Sequence, residues 1–289
     1  MMILVSAVSC QHKDLCYDHP HNGKLRVVFD WTKASGTVDE NMELFLFPDG
    51  GGPALHYQFY NMSGGVIEVP AGVYRAVCAN AGAGANRFEG TSASYGEFKV
   101  TTRAVNKAGD IIVEPDMLYS DHLGDGIDID GVSEQTLVMY PVQKTPRYTV
   151  ILRNVRNLNG AKSCAASLSN LSCGYLAALD EAYDDSHIQN FDMSRSGETE
   201  LEGPFIFFGH RHGGQRAHIL MLDFALQNGS DMTCTVDVTE RMAELAREGC
   251  MTGDIIIDLN IDIPKPISNG SGFQPTVDGW GNEEININN

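Results

Sequence analysis

The chain contains no CxxC pair, no GxSxG and no HExxH. Zinc ribbons, thioredoxin-like redox sites, serine hydrolases and zincin proteases therefore lack their usual signatures. No apolar run approaches the ~20 residues of a membrane-spanning helix, so attachment to a membrane, if present, has to come from lipid. Basic residues are scarce: 20 Lys and Arg face 38 Asp and Glu, a formal charge of −18. A surface of that sign is repelled by phosphate backbones, which argues against a nucleic-acid partner. Tryptophan is limited to Trp31 and Trp280, which leaves few broad aromatic faces for stacking on sugars.

What is present begins at the N-terminus. The short apolar run Met1–Val8 leads through Ser9 to Cys10, and the polar segment Gln11-His12-Lys13-Asp14 follows. This is the pattern in which a bacterial lipoprotein signal ends, with Cys10 as the acylated residue. Six further cysteines remain: Cys16, Cys78, Cys164, Cys173, Cys234 and Cys250. In an exported chain that even number permits disulfides, and burial as free, small apolar groups is equally open.

At 289 residues the chain has room for two domains. Its body reads as strands. Leu25–Trp31, Met42–Phe47 and Leu55–Tyr60 alternate or run apolar, and Pro48-Asp49-Gly50-Gly51-Gly52 turns the chain between the last two. Val66–Val69 leads through Pro70 into a strand from Val73, where Tyr74 is expected to pack over the sheet. Between about Ala104 and Gly131 the strand pattern fades, which places the expected division near residue 125: residues 11–125 and 126–289. Strands resume from Thr136, with strong signals at Tyr148–Val155, Phe205–Phe208, His218–Leu226, Thr233–Val238 and Asp254–Leu259. Asp237 and Glu240 start a helix carrying Met242, Leu245 and Ala246, and Gly249 stops it. Tyr175–Tyr183 reads as a second short helix. A Pro/Ser/Gly-rich segment precedes a last alternating strand, Glu284–Asn288.

Together, Cys16–His21, Leu25–Trp31, Phe47–Gly51, Val277–Trp280 and Glu284–Ile287 resemble the fimbrillin-like lipoproteins of Bacteroides and relatives, a group of fimbrial subunits and anchors. The resemblance implies a mainly β fold of two tandem transthyretin-like, Greek-key β-sandwiches. It implies lipidation at Cys10, residence on the outer membrane and partnership with other fimbrial subunits. It brings no catalytic residue, so no enzyme and no cofactor is expected. Subunits of this kind are expected to assemble by lending a strand to a neighbouring sheet, with alternate side chains filling pockets. Ile285 and Ile287 have that spacing. The plainer reading is that they complete their own domain's sheet. A surface protein that binds host glycan or protein without polymerising is the alternative function.

Other groupings are weaker. Cys16, His19 and His21, and separately His210, His212 and His218, have metal-ligand chemistry but read better as polar loop residues. Asp125–Gly131 has the look of a calcium loop, yet Gly126 and Leu137 fall where an EF-hand requires carboxylates. Asn80–Ala85 is glycine-rich, but no helix follows to hold a phosphate. No metal is therefore expected.

Overall fold

The computed structural model describes residues 22–34, 41–80, 84–209 and 216–265, together with the backbone of 285–287. The first half of the chain supplies β1 (Asn22–Phe29), β2 (Met42–Pro48), β3 (Leu55–Phe59), β4 (Gly64–Pro70), β5 (Gly72–Asn80), β6 (Asn86–Glu89), β7 (Lys99–Thr102), β8 (Ile111–Ile112), β9 (Tyr119–Ile129), β10 (Glu134–Met139) and β11 (Val142–Gln143). The second half supplies β12 (Arg147–Arg156), β13 (Ala161–Leu171), β14 (Gly174–Leu176), β15 (Glu181–Ala182), β16 (His187–Arg195), β17 (Leu201–Ile206), β18 (Ile219–Leu226), β19 (Asp231–Asp237), helix α1 (Thr239–Arg247), β20 (Thr252–Asp262) and β21 (Ile285–Ile287).

The two halves repeat one topology. In the first, a sheet ordered β10-β1-β4 faces a sheet ordered β11-β9-β5-β2-β3. In the second, β20-β12-β17 and β16-β13-β18-β19 are the two parts of one continuous sheet, joined where β17 pairs with β16 through Ser194↔Glu202 and Arg195↔Leu201, and both parts line one core. Substituting β12, β13, β16, β17, β18, β19 and β20 for β1, β2, β3, β4, β5, β9 and β10 reproduces both orders. The directions agree as well. β1 is parallel to β10 and antiparallel to β4, and β12 is parallel to β20 and antiparallel to β17.

Each half closes over its own apolar core. Leu25, Val27 and Phe29 from β1 meet Leu44, Leu46 and Cys78 across the first sandwich. Tyr74 is buried there, and its hydroxyl donates to the Pro70 carbonyl at 2.9 Å, so the expected packing at this corner is present. Val150, Leu152, Phe205, Leu222, Phe224 and Ile257 fill the second sandwich. β12 and β20 show the alternation that one buried face demands.

A third core joins the halves. β2 is buried on both faces. Its outward Phe45 and Phe47 pack on Phe98, with ring centroids 4.6 and 5.6 Å apart, and on a small sheet ordered β15-β14-β7-β6. That sheet takes β6 and β7 from the first half and β14 and β15 from the second. Both pairs are insertions into the repeated topology, and Tyr175, Ala177 and Phe208 bring the second half into the shared core.

Residue 125 lies within β9, which runs from Tyr119 to Ile129, and β10 and β11 follow before β12. One expectation changes. The Tyr175–Tyr183 helix is instead the β14–β15 hairpin: Tyr175 pairs with Ala182 and Leu176 with Glu181. Asp180 turns that hairpin at φ 59°, a left-handed conformation that Asp tolerates better than most residues. The helix at Thr239–Arg247 forms as expected, with Met242 and Leu245 buried and Gly249 past its end at φ 66°.

Candidate functional site

Assembly by strand exchange needs a sheet edge that accepts a strand. β20 is the longest edge strand of the second sandwich, and its outward row is acidic. Asp254, Asp258 and Asp262 are exposed, with Asp262 paired to Arg156 at 2.8 Å and Asp258 accepting from Asn154 at 3.1 Å. Charges along an edge discourage further pairing. The opposite edge differs. β19 has acidic residues only at its ends, Asp231 and Asp237, with Met232-Thr233-Cys234-Thr235-Val236 between them.

β19 is held firmly on its inner side. It pairs with β18 from Ile219↔Asp237 to Ala225↔Asp231, and Cys234 and Val236 enter the core. Thr233 donates its hydroxyl to Asp223 at 2.6 Å. At its end the Asp237 carboxylate accepts the Thr239 N–H, while the Thr239 hydroxyl accepts the His218 N–H, which fixes the start of α1. The hydrogen bonds from Thr239 lower the Asp237 pKa.

The outer side of β19 takes the terminal strand β21 in parallel, through Cys234↔Ile285, Thr235↔Asn286 and Val236↔Ile287. The segment containing Ile285 and Ile287 thus lies on its own chain's sheet and covers three residues of the seven-residue β19. Cys10 lies outside the described residues.

A cleft of about 460 Å³ opens where the hairpin β14–β15 meets the second sandwich. Lys144 and Asp180 form an ion pair on its wall, and Tyr175 donates to Asp180 at 2.6 Å. Burial alone would raise the Asp180 pKa, but the hydrogen bonds from Lys144 and Tyr175 outweigh it and the pKa is lowered. Tyr148, Phe207 and Phe208 line the cleft yet are each 1% exposed, so they present no open ring face for a sugar.

The remaining candidates resolve into structural roles or lie outside the described residues. Asp130 accepts from the backbone N–H groups of Val132 and Ser133 and from the Ser133 hydroxyl, closing the β9–β10 turn. The Asp125–Gly131 segment is thus the end of a strand and a turn. At the glycine-rich stretch, Gly84, Ala85 and Asn86 donate their N–H groups to the Asp116 carboxylate at 3.0, 2.7 and 3.2 Å, so the anion held there is the protein's own. His218 is buried with Nδ1 3.1 Å from the Ser169 carbonyl. Cys16, His19, His21, His210 and His212 lie outside the described residues. The five described cysteines, Cys78, Cys164, Cys173, Cys234 and Cys250, are free, and burial pushes Cys164 up to about 12. One cluster was missed in the sequence: Cys173, Asp185 and His187 meet in space although no metal-ligand spacing announces them.

The described residues form two strand-rich halves of matching strand order joined by a shared third core. The family model "Domain of unknown function (DUF5119)" matches residues 9–192, and the chain belongs to that family. It is 22% identical to a Bacteroides ovatus protein named "Putative fimbrium anchoring subunit Fim4B", over 97% of this chain and 94% of the relative. Among solved structures, a "putative adhesin" from Bacteroides ovatus superposes with a TM-score of 0.69 at 20% identity, covering 91% of this chain and 100% of the other. The fimbrial anchor protein Mfa2 from Porphyromonas gingivalis superposes with a TM-score of 0.56 at 11% identity, covering 82% and 90%. The chain thus shares the fold of a fimbrial anchor.

Proposed function

We propose that this protein is a fimbrial anchor or accessory subunit at the cell surface, tethered to the outer membrane by lipid on Cys10, with no enzymatic activity. It joins other fimbrial subunits by β-strand exchange and so supports adhesion. The observation that carries the assembly step is the β19 edge, which is uncharged over its middle and closed by only three residues of β21. A neighbour's strand of seven residues would pair along the whole of β19 and release β21, which would in turn pair with the neighbour's sheet. The full-length similarity to a protein named as a fimbrium anchoring subunit supports the setting. We also read the halves as a tandem of transthyretin-like sandwiches, a reading supported by their shared strand order.

Deletion of Glu284–Asn289 tests the role in cells. The shortened protein is expected to reach the surface folded while surface fimbriae fall in number or detach into the medium. Unchanged, attached fimbriae on cells carrying the folded, shortened protein would overturn exchange through this tail.

A further inference from the structure

Cys173, Asp185 and His187 converge although they come from different connections. Cys173 lies between β13 and β14, where the chain leaves the second sandwich for the small joining sheet. Asp185 and His187 lie where it returns, between β15 and the start of β16. The Cys173 Sγ stands 2.7 Å from Asp185 Oδ2, and His187 Nε2 stands 2.9 Å from the same oxygen. Among the described residues this is the one group of three such side chains whose donor atoms all lie within 4.8 Å of one another.

The surroundings fix the donors. His187 Nδ1 is 2.9 Å from the Gly109 carbonyl, which can only accept, so Nδ1 carries the proton. In the neutral ring Nε2 then directs its lone pair at a carboxylate oxygen that is itself an acceptor. A histidine whose second nitrogen is held by a backbone carbonyl has the outer-shell arrangement of a metal ligand. The other Asp185 oxygen, Oδ1, accepts the Cys173 N–H at 3.1 Å, which locks the carboxylate in place. The two acid–base partners are about one-fifth exposed, so an ion can enter and a water could complete its shell.

We propose that Cys173, Asp185 and His187 form a zinc site that clamps the joining sheet to the second sandwich. One sulfur, one nitrogen and one oxygen suit zinc better than calcium or magnesium. Thiolate and carboxylate together balance the charge of the dication, and binding releases the thiol proton to solvent. Tetrahedral zinc, with bonds of about 2.0–2.3 Å, sets neighbouring donors roughly 3.3–3.6 Å apart, which small side-chain rotations supply. The fourth position is left to water. The site is independent of strand exchange, since it lies in the connections between β13 and β16 and not at the β19 edge.

Cobalt(II), titrated under reducing conditions into the full-length protein in excess magnesium, is the probe. One equivalent is expected to give a tetrahedral cobalt spectrum with a thiolate-to-cobalt charge-transfer band. Zinc should displace it and raise the thermal midpoint by a few degrees. Cys173→Ser should abolish the band. His187→Ala should weaken cobalt binding by at least about 10-fold, since outer-shell partners alone are worth about 10–100-fold. Circular dichroism confirms that each variant is folded. Absence of the charge-transfer band in the wild-type protein, or a band that persists in Cys173→Ser, would overturn the proposal. Should Cys173→Ser fail to fold, the wild-type titration and His187→Ala decide it, and unchanged affinity in the latter refutes the site.

Discussion

Truncation after Lys265 removes β21 and asks how tightly the terminal strand is held. Its three-residue pairing with β19 is parallel, the weaker geometry per residue. At about 0.5–1.5 kcal/mol net per hydrogen bond, two or three bonds contribute roughly 1–4 kcal/mol. Fixing three backbone residues costs about 3–6 kcal/mol, and bringing them to β19 across the stretch from 266 to 284 adds roughly 2–3 kcal/mol of chain-closure entropy. Pairing alone does not offset that ordering cost, so β21 is weakly held. The truncated protein is expected to unfold in urea within about 1–2 kcal/mol of the intact chain, with an unchanged m-value. Hydrogen exchange gives the same quantity locally. In the intact protein the amides of Ile285–Ile287 should show protection no greater than about 30-fold, equivalent to ~2 kcal/mol, whereas buried amides of β18 approach the global value. A truncation cost above about 3 kcal/mol, or β21 protection equal to that of β18, would refute the reasoning, because a strand so firmly seated would not yield to a neighbour's.

Cys10→Ala should move the folded protein from the membrane fraction to the soluble fraction, and membrane-bound, acylated protein in the variant would refute lipidation there. Phe98→Ala, at a position with no exposure in the joining core, should cost about 3–5 kcal/mol and split unfolding of the two sandwiches into separate transitions in calorimetry. Glu114 and Asp180 should give opposite pH trends. Burial raises the folded pKa of Glu114, so its ionised form penalises the native state above that pKa and the penalty disappears as pH falls; Glu114→Gln should stabilise the protein at neutral pH and lose its advantage in acid. The Asp180 pKa is lowered, so its contribution is present above the ordinary carboxylate range and is lost as pH falls through the folded value; Asp180→Asn should destabilise at neutral pH, with the difference closing in acid. Thermal midpoints across a pH series check both.

Strands that carry branched or aromatic residues were legible in the sequence: β1, β12, β18 and β20, which bury one face and alternate, and β2, which is buried on both and runs apolar, lie close to where the pattern puts them. β9 was not, because Asp121, Gly124, Asp125, Gly126 and Asp128 dilute the pattern. That strand is held by pairing with β5 across a register shift between Tyr74 and Ala76, not by its own propensity. β13 was missed for a related reason, since Ala161–Leu171 is rich in Ala and Ser and owes its conformation to β16 and β18 on either side. The β14–β15 hairpin imitates a helix in composition, with Leu176, Ala177, Ala178 and Leu179 in a row. Tertiary pairing of β14 with β7 overrides that local preference. The Cys173–Asp185–His187 cluster has the same character, because its members are brought together by the hairpin between them and by Gly109 from the other half of the chain.

The repeated topology also bears on where exchange can occur. β9 and β19 are equivalent edge strands, and each receives one added strand. On β9 it is β11, antiparallel, placed three residues after β10 and followed almost at once by β12 of the second sandwich. Withdrawing β11 would pull on a strand at the heart of the next sheet, so that edge is closed by chain continuity. On β19 it is β21, parallel and separated from β20 by residues 263–284. Its withdrawal breaks no other strand pairing among the described residues. The same architecture thus yields one locked edge and one releasable edge. On the proposed reading, with lipid on Cys10, the releasable edge belongs to the repeat farther along the chain from the attachment point, where an anchor would meet the next subunit.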